Sequence, residues 1–108
     1  MKIAFQKDGG ELIIFLSGEL DHHAARTAIP EISRLIDREL PTTLTLDFSY
    51  INFMDSSGIA LVIGAFKRAN SINCSFSVIN VSGQANKVFT AAGLQKIITI
   101  KEREKIPT

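Results

Sequence analysis

The sequence predicts a single α/β domain, residues 1–108, built on a mixed sheet of four to five strands with helices. Three observations predict it: a length of 108 residues, a hydrophobic content of 45%, and strand-like segments that alternate with helix-like ones. The chain opens with an N-terminal β-hairpin. Because helices connect the later strands, we expect those strands to pair in parallel and the first two to pair antiparallel.

The hairpin is predicted from two short alternating runs at residues 2–7 and 11–17. They flank Asp8-Gly9-Gly10, where glycine permits the positive backbone angles of a tight turn.

The first helix is predicted from apolar residues at a spacing of three to four, which places them on one face. Pro30 interrupts this pattern, because proline inside a helix removes a hydrogen bond and clashes with the preceding turn. We therefore expect a kink, or a helix that starts nearer Thr27. The apolar residues are Ala25, Ala28, Ile29, Ile32, Leu35 and Ile36.

The remaining elements alternate between strand and helix. Ser82 is the expected cap of the last helix and Gly93 its stop. Charged residues at the end of the chain, 101–105, are expected to form an exposed, frayed tail. The predicted strands are 42–48, 74–79 and 97–100, and the predicted helices are 59–72 and the segment between Ser82 and Gly93.

Composition excludes several function classes. Twelve basic against eleven acidic residues give a net charge of +1, which argues against sequence-general nucleic-acid binding and against attraction to a membrane surface. The N-terminus lacks a signal-peptide pattern, and the longest apolar run, 59–66, is less than half of the ~20 residues of a membrane helix. Cys74 is the single cysteine and is expected to be a buried thiol. The sequence therefore predicts a cytoplasmic protein.

Two polar clusters stand at predicted strand-to-helix junctions, where functional loops are common. The first cluster, residues 18–23, reads Gly-Glu-Leu-Asp-His-His, and the second, residues 53–58, reads Phe-Met-Asp-Ser-Ser-Gly. The unpaired amides at a helix start favour an anion, so a phosphate on a serine of the second cluster is expected to be held there. Asp55 is next to that serine, and Asp21 would also be near if the two loops meet. The roughly two negative charges of a phosphate would then strongly change the electric field at this site.

Simpler interpretations of the same residues remain open. Ser56 or Ser57 would serve only as a helix cap, and Gly58 would only allow close packing. A hydrolase built from Ser56, a histidine and Asp21 is disfavoured, because the nucleophile-elbow pattern lacks its first glycine. A metal site at His22-His23 is disfavoured too, because neighbouring helical residues point about 100° apart and no third ligand supports them. We expect no metal, no cofactor and no catalytic residue.

The two clusters, followed by Ala91-Ala92-Gly93-Leu94 before the last strand, resemble the STAS-domain anti-sigma factor antagonists, especially the sporulation-type antagonists of the anti-sigma F factor. The resemblance covers essentially the whole chain. It implies a bacterial regulator of transcription, in sporulation or stress response, that acts by partner switching. The unphosphorylated form would bind an anti-sigma factor, which is a serine kinase, and free the sigma factor.

The resemblance also implies the roles of individual residues. Ser56 is the position phosphorylated by the kinase, and a metal-dependent serine phosphatase reverses the modification. Asp21 matches an acid near the phosphorylation loop and the nucleotide of the kinase. The expected partner-binding residues are Asp21, His22, His23, Asp55, Ser57 and Gly58.

A rival interpretation keeps the fold but changes the function, since STAS domains also serve as regulatory or ligand-sensing modules that are never phosphorylated. The acid and serine at Asp55 and Ser56 argue against this alternative. Incubation with a cognate kinase and ATP distinguishes the two.

Overall fold

A computed structural model describes residues 1–104, which form one five-stranded sheet in the order β1-β2-β3-β4-β5. β1 runs antiparallel to β2, and the other neighbours are parallel, so the predicted mixed sheet is confirmed. The elements are β1 (Lys2–Asp8), β2 (Glu11–Leu20), α1 (His22–Glu39), β3 (Thr43–Met54), α2 (Ser57–Ser71), β4 (Ser75–Val81), α3 (Gly83–Ala91), a 3-10 turn (Leu94–Lys96) and β5 (Thr99–Glu102).

The three helices lie on one face of the sheet. Each connects a strand to the next parallel neighbour, and such crossovers are right-handed, which places consecutive helices on the same side. Aromatic pairs across this layer, Phe66 with Phe76 and Phe48 with Phe89, each have ring centroids 6.0 Å apart. The core therefore fills the space between the helices and this face.

The predicted hairpin is confirmed. Asp8 pairs with Glu11 across the turn, and Gly9 has a φ of 60°, a backbone angle that glycine adopts without strain. Pairing continues to Lys2 opposite Ser17.

α1 begins earlier than predicted and continues through Pro30. The carboxylate of Asp21 caps its first turn, so the helix starts at His22, and the expected start near Thr27 is wrong. Pro30 and Arg26 are both exposed, so the carbonyl group that loses its helical partner lies on the solvent side.

β3 is longer than the predicted 42–48 and ends at Met54. Its pairing with β2 continues past Phe48 through two irregularities, after Phe15 and after Gly18 of β2, where β3 carries an extra residue each time. These bulges break the simple alternation on which the prediction depended.

β4 stops pairing with β3 at the register of Asp47 with Ile79. Asp47 is only 8% exposed, and its carboxylate accepts hydrogen bonds from the Ser49 backbone N–H at 2.8 Å and the Ser49 hydroxyl at 2.6 Å. The Asn80 side chain donates a third at 3.3 Å. After this point β3 continues, but the edge that faced β4 is no longer paired with it.

The end of α3 follows the prediction, and the described part of the tail, 101–104, is exposed as predicted but is not frayed. The Ser82 hydroxyl accepts from the Ala85 N–H at 3.1 Å, and Gly93 ends the helix with a φ of 72°. Residues 101 and 102 belong to β5 rather than to a frayed end, and Arg103 donates to the Ser49 carbonyl at 2.7 Å. Lys105, the last residue of the predicted tail, lies outside the described residues.

Among residues 1–104, no helix has the length and apolar character that crossing a membrane requires.

Cys74 is buried as predicted, at 6% exposure, and this burial raises the pKa of its thiol. Because the folded state holds the thiol proton more tightly than the unfolded chain, the stabilisation from Cys74 is complete below the unfolded pKa. It declines as the pH rises toward the folded pKa.

We therefore expect the difference in unfolding free energy between the wild type and Cys74→Ala to be constant at neutral pH. Above about pH 8.5 it should shrink, by at most about 1.4 kcal/mol per pH unit. Urea titrations of both proteins between neutral pH and pH 10 measure this difference. A difference that stays constant or grows over that range would contradict the prediction.

Candidate functional site

The two polar clusters meet at one edge of the sheet. Glu19 pairs with Phe53 and Leu20 with Met54 in the parallel ladder of β2 and β3, so both strands end side by side. The Asp55 backbone N–H donates to the Leu20 carbonyl at 3.2 Å, which ties the second loop to the first. The condition that the loops meet is thus fulfilled.

In the first cluster, Asp21 is the cap of α1. Its Oδ1 accepts from the Ala24 N–H at 2.8 Å, and the residue is half-buried. His22 and His23 form the start of the helix and are exposed. Gly18 lies within β2 with a φ of 108°, next to the second bulge, where an L side chain would be strained.

In the second cluster the expected serine cap is wrong for Ser56. Ser56 occupies the cap position of α2 with helical backbone angles, φ −63° and ψ −14°, and its side chain makes no capping hydrogen bond. The Asp55 carboxylate takes this role instead, because its Oδ1 accepts from the Ser57 N–H at 2.7 Å. The Ser56 side chain is left exposed at the surface.

The expected anion site at the start of α2 is also occupied by the protein itself. Besides the Ser57 amide bound by Asp55, the Gly58 N–H donates to the Asp55 carbonyl and the Ile59 N–H to the Ser56 carbonyl, each at 3.1 Å. These short-range hydrogen bonds use backbone N–H groups that have no partner at the start of an ordinary helix. A phosphate on Ser56 would have to displace a carboxylate to reach the Ser57 amide.

Gly58 fulfils the close-packing interpretation. A Cβ atom added there would lie 2.3 Å from the Sδ and 2.5 Å from the Cγ of Met54. Both residues are buried. The first turn of α2 therefore rests directly on the last residue of β3.

Gln84 of α3 is a site residue that the sequence did not indicate. Its Oε1 accepts from the Met54 N–H at 3.0 Å, and its Nε2 donates to the Met54 carbonyl at 2.7 Å. The two residues are 30 positions apart, and no spacing rule connects them.

Apolar side chains line a groove that contains Ser56, and others are exposed on the last part of β3. A shallow groove between α2 and α3 is lined by Ser56, Ile59, Lys87, Val88, Ala91 and Ala92. Tyr50 and Phe53, on the bulged end of β3, are 65% and 46% exposed. A second groove beside Asp21 is bordered by Met1, Ile3 and Glu19.

Two neighbouring basic residues on the exposed side of α2 differ in their surroundings. Arg68 forms an ion pair with Asp37 of α1, whereas Lys67 is exposed farther along the helix from Ser56. Within the described part of the chain, no group of three or more His, Cys, Asp or Glu residues could hold a metal ion.

Comparison with known proteins identifies relatives whose similarity extends over most of this chain. The model of the STAS domain family matches residues 2–105. The anti-sigma F factor antagonist of Paenibacillus polymyxa is 31% identical over 104 residues, which cover 96% of this chain and 89% of the relative. That of Lysinibacillus sphaericus is 36% identical over 83 residues, covering 77% and 71%.

Two solved structures of an anti-sigma factor antagonist, SpoIIAA, share the fold. The unphosphorylated form aligns with a TM-score of 0.77, covering 92% of this chain and 87% of that one, at 31% identity. The phosphorylated form, from Bacillus, aligns with a TM-score of 0.70 at 31% identity, covering 92% and 90%.

The contact between Gly58 and Met54 yields a test of the packing at the site. We expect Gly58→Ala to destabilise the fold by about 1–3 kcal/mol, because both the Sδ and the Cγ of Met54 would have to move. Gly64→Ala is the matched control, since its new Cβ would meet nothing within 4 Å and should stabilise the helix by up to about 1 kcal/mol. Denaturant titrations give the change in unfolding free energy of each variant relative to the wild type. Equal changes for the two variants would refute the packing argument.

Proposed function

Since the chain belongs to the STAS-domain family of anti-sigma factor antagonists, we propose that it acts by partner switching. In its unphosphorylated form it binds an anti-sigma factor that is a serine kinase, and the sigma factor is released. Phosphorylation of Ser56 ends this binding, and a serine phosphatase restores it.

The observation that carries the proposal is the state of the Ser56 side chain. It is exposed at the edge where both clusters meet, and the fold does not use it as a cap. A kinase needs an acceptor hydroxyl that it can reach and that no internal contact occupies. Ser57 is less suited, because it is partly buried in the first turn of α2.

The charges around Ser56 support the switch. Phosphorylation adds roughly two negative charges beside Asp55, whose carboxylate already occupies the Ser57 amide. The kinase site also holds the phosphates of its nucleotide, and like charges held close across an interface cost several kcal/mol. Because ~1.4 kcal/mol is a tenfold change in affinity, this repulsion is sufficient to end binding without refolding the domain.

The proposed binding surface consists of the two clusters at the sheet edge. Asp21, His22 and His23 supply polar and charged groups on one side, and Asp55, Ser57 and Gly58 form the loop on the other. Of these, Gly58 and Asp21 also have structural roles, in packing against Met54 and in capping α1. Experiments on this surface therefore need variants that separate charge from fold.

We expect Ser56→Ala to lose phosphorylation by the cognate anti-sigma factor kinase, whereas Ser57→Ala keeps a rate within about twofold of wild type, because its backbone amide still binds Asp55. Mass spectrometry after incubation with kinase and ATP locates the phosphate. Phosphorylation of Ser56→Ala at the wild-type rate would refute the assignment. An absence of phosphate on the wild type would instead favour a STAS module that is regulated without phosphorylation.

We expect Asp21→Lys to weaken kinase binding by more than ~1 kcal/mol, whereas Asp8→Lys, in the hairpin turn at the other end of β2, has little effect. Asp21→Asn separates the two roles of this residue, because asparagine is an equally good helix cap without the charge. Its affinity should fall while its thermal stability is retained. Equal affinities for the variants at positions 8 and 21 would contradict the proposed surface.

A further inference from the structure

At the end of β3 the backbone hydrogen-bonds to a side chain, at a position where β4 no longer pairs with it. β4 leaves β3 after the pair Asp47 and Ile79, but β3 continues to Met54. On its other side Met54 lies next to Leu20 of β2. The Gln84 amide accepts from the Met54 N–H at 3.0 Å and donates to the Met54 carbonyl at 2.7 Å, so it offers the same donor and acceptor as a peptide group of a neighbouring strand.

This clamp lies immediately before the loop that carries Ser56. Met54 is held by Gln84 on one side, and the Asp55 N–H is bound to the Leu20 carbonyl on the other. After Met54, the Ser57 amide is already fixed by the Asp55 carboxylate. The chain between these anchors is only Asp55 and Ser56, so the position of Met54 constrains the backbone that carries the Ser56 hydroxyl.

We propose that Gln84 is a positioning residue for Ser56, holding the acceptor loop in the geometry that phosphoryl transfer requires. The inference rests on the proposed function, because it takes Ser56 as the acceptor. Gln84 is itself exposed near the start of α3. A partner that contacts this end of α3 therefore reaches the clamp, and through it the acceptor, without touching Ser56.

The role differs from simple stabilisation. The Gln84 amide contributes two hydrogen bonds at the exposed start of α3, whereas the side chain of Met54 stays packed in the core without it. Loss of the clamp should therefore leave the fold largely intact and act on the transfer step, where small displacements of a reacting group have large effects.

The test uses the full chain, the anti-sigma factor serine kinase and ATP. Gln84→Met keeps the side-chain length without the hydrogen bonds. Gln95→Met is the matched control, since within residues 1–104 the Gln95 amide donates to side chains alone, those of Asn86 and Thr90. We expect Gln84→Met to lower kcat for phosphorylation of Ser56 about three- to tenfold, with a less than twofold change in the Kd for the kinase. Gln95→Met should match the wild type.

Amide hydrogen exchange provides a readout that does not involve the kinase. Protection of the Met54 amide should fall at least about tenfold in Gln84→Met and stay unchanged in Gln95→Met. In Gln84→Glu, the ionised carboxylate can accept from the Met54 N–H but repels the Met54 carbonyl. Below about pH 4.5 the protonated carboxyl regains a donor, so protection relative to the wild type should recover.

The outcomes separate the inference from the function on which it depends. Lost Met54 protection with an unchanged kcat in Gln84→Met would overturn the positioning role while Ser56 remains the acceptor. Unchanged Met54 protection would overturn the clamp. A wild-type protein with no phosphate on Ser56 would overturn the proposed function itself, and with it the role assigned to Gln84 in transfer.

Discussion

The parallel pairing of β2 with β3 is the constraint on which the candidate site depends. The ladder runs from Glu11 opposite Thr43 to Leu20 opposite Met54, and it joins ten residues of β2 to twelve of β3. Two bulges absorb the difference, so the strands end together. Without one of them the loops would be offset by a residue, and the side chains beyond it would change face. The proximity of the two clusters is therefore a property of strand register.

Two carboxylates, those of Asp21 and Asp55, both cap helices and give the candidate site its negative charges. Asp21 caps α1 through the Ala24 amide, and Asp55 binds the Ser57 amide at the start of α2. A carboxylate at a helix start interacts favourably with the helix dipole, so each acidic side chain supports a helix at the same place where a partner would meet its charge. The acidic groups of the site are thus placed by how the helices begin.

The sequence predicted correctly those turns and helix ends that depend on residues close together in the chain. The glycine turn at Gly9, the Ser82 cap and the Gly93 stop each depend on residues close in the chain, and all three are present. The end of β3 was missed because bulges depend on the pairing with β2, which alternation does not reveal. The serine cap failed at Ser56 because the preceding carboxylate competes for the same amide.

The hairpin turn is at the opposite end of β2 from Ser56. At about 3.3 Å per residue, the ten residues of β2 place the two ends roughly 30 Å apart. Gly9 is exposed with nothing within 4 Å of an added Cβ, whereas the Gly10 carbonyl binds the amides of Thr42 and Thr43. A fluorophore or affinity tag inserted beside Gly9 would thus report on complexes formed at the other end without obstructing them.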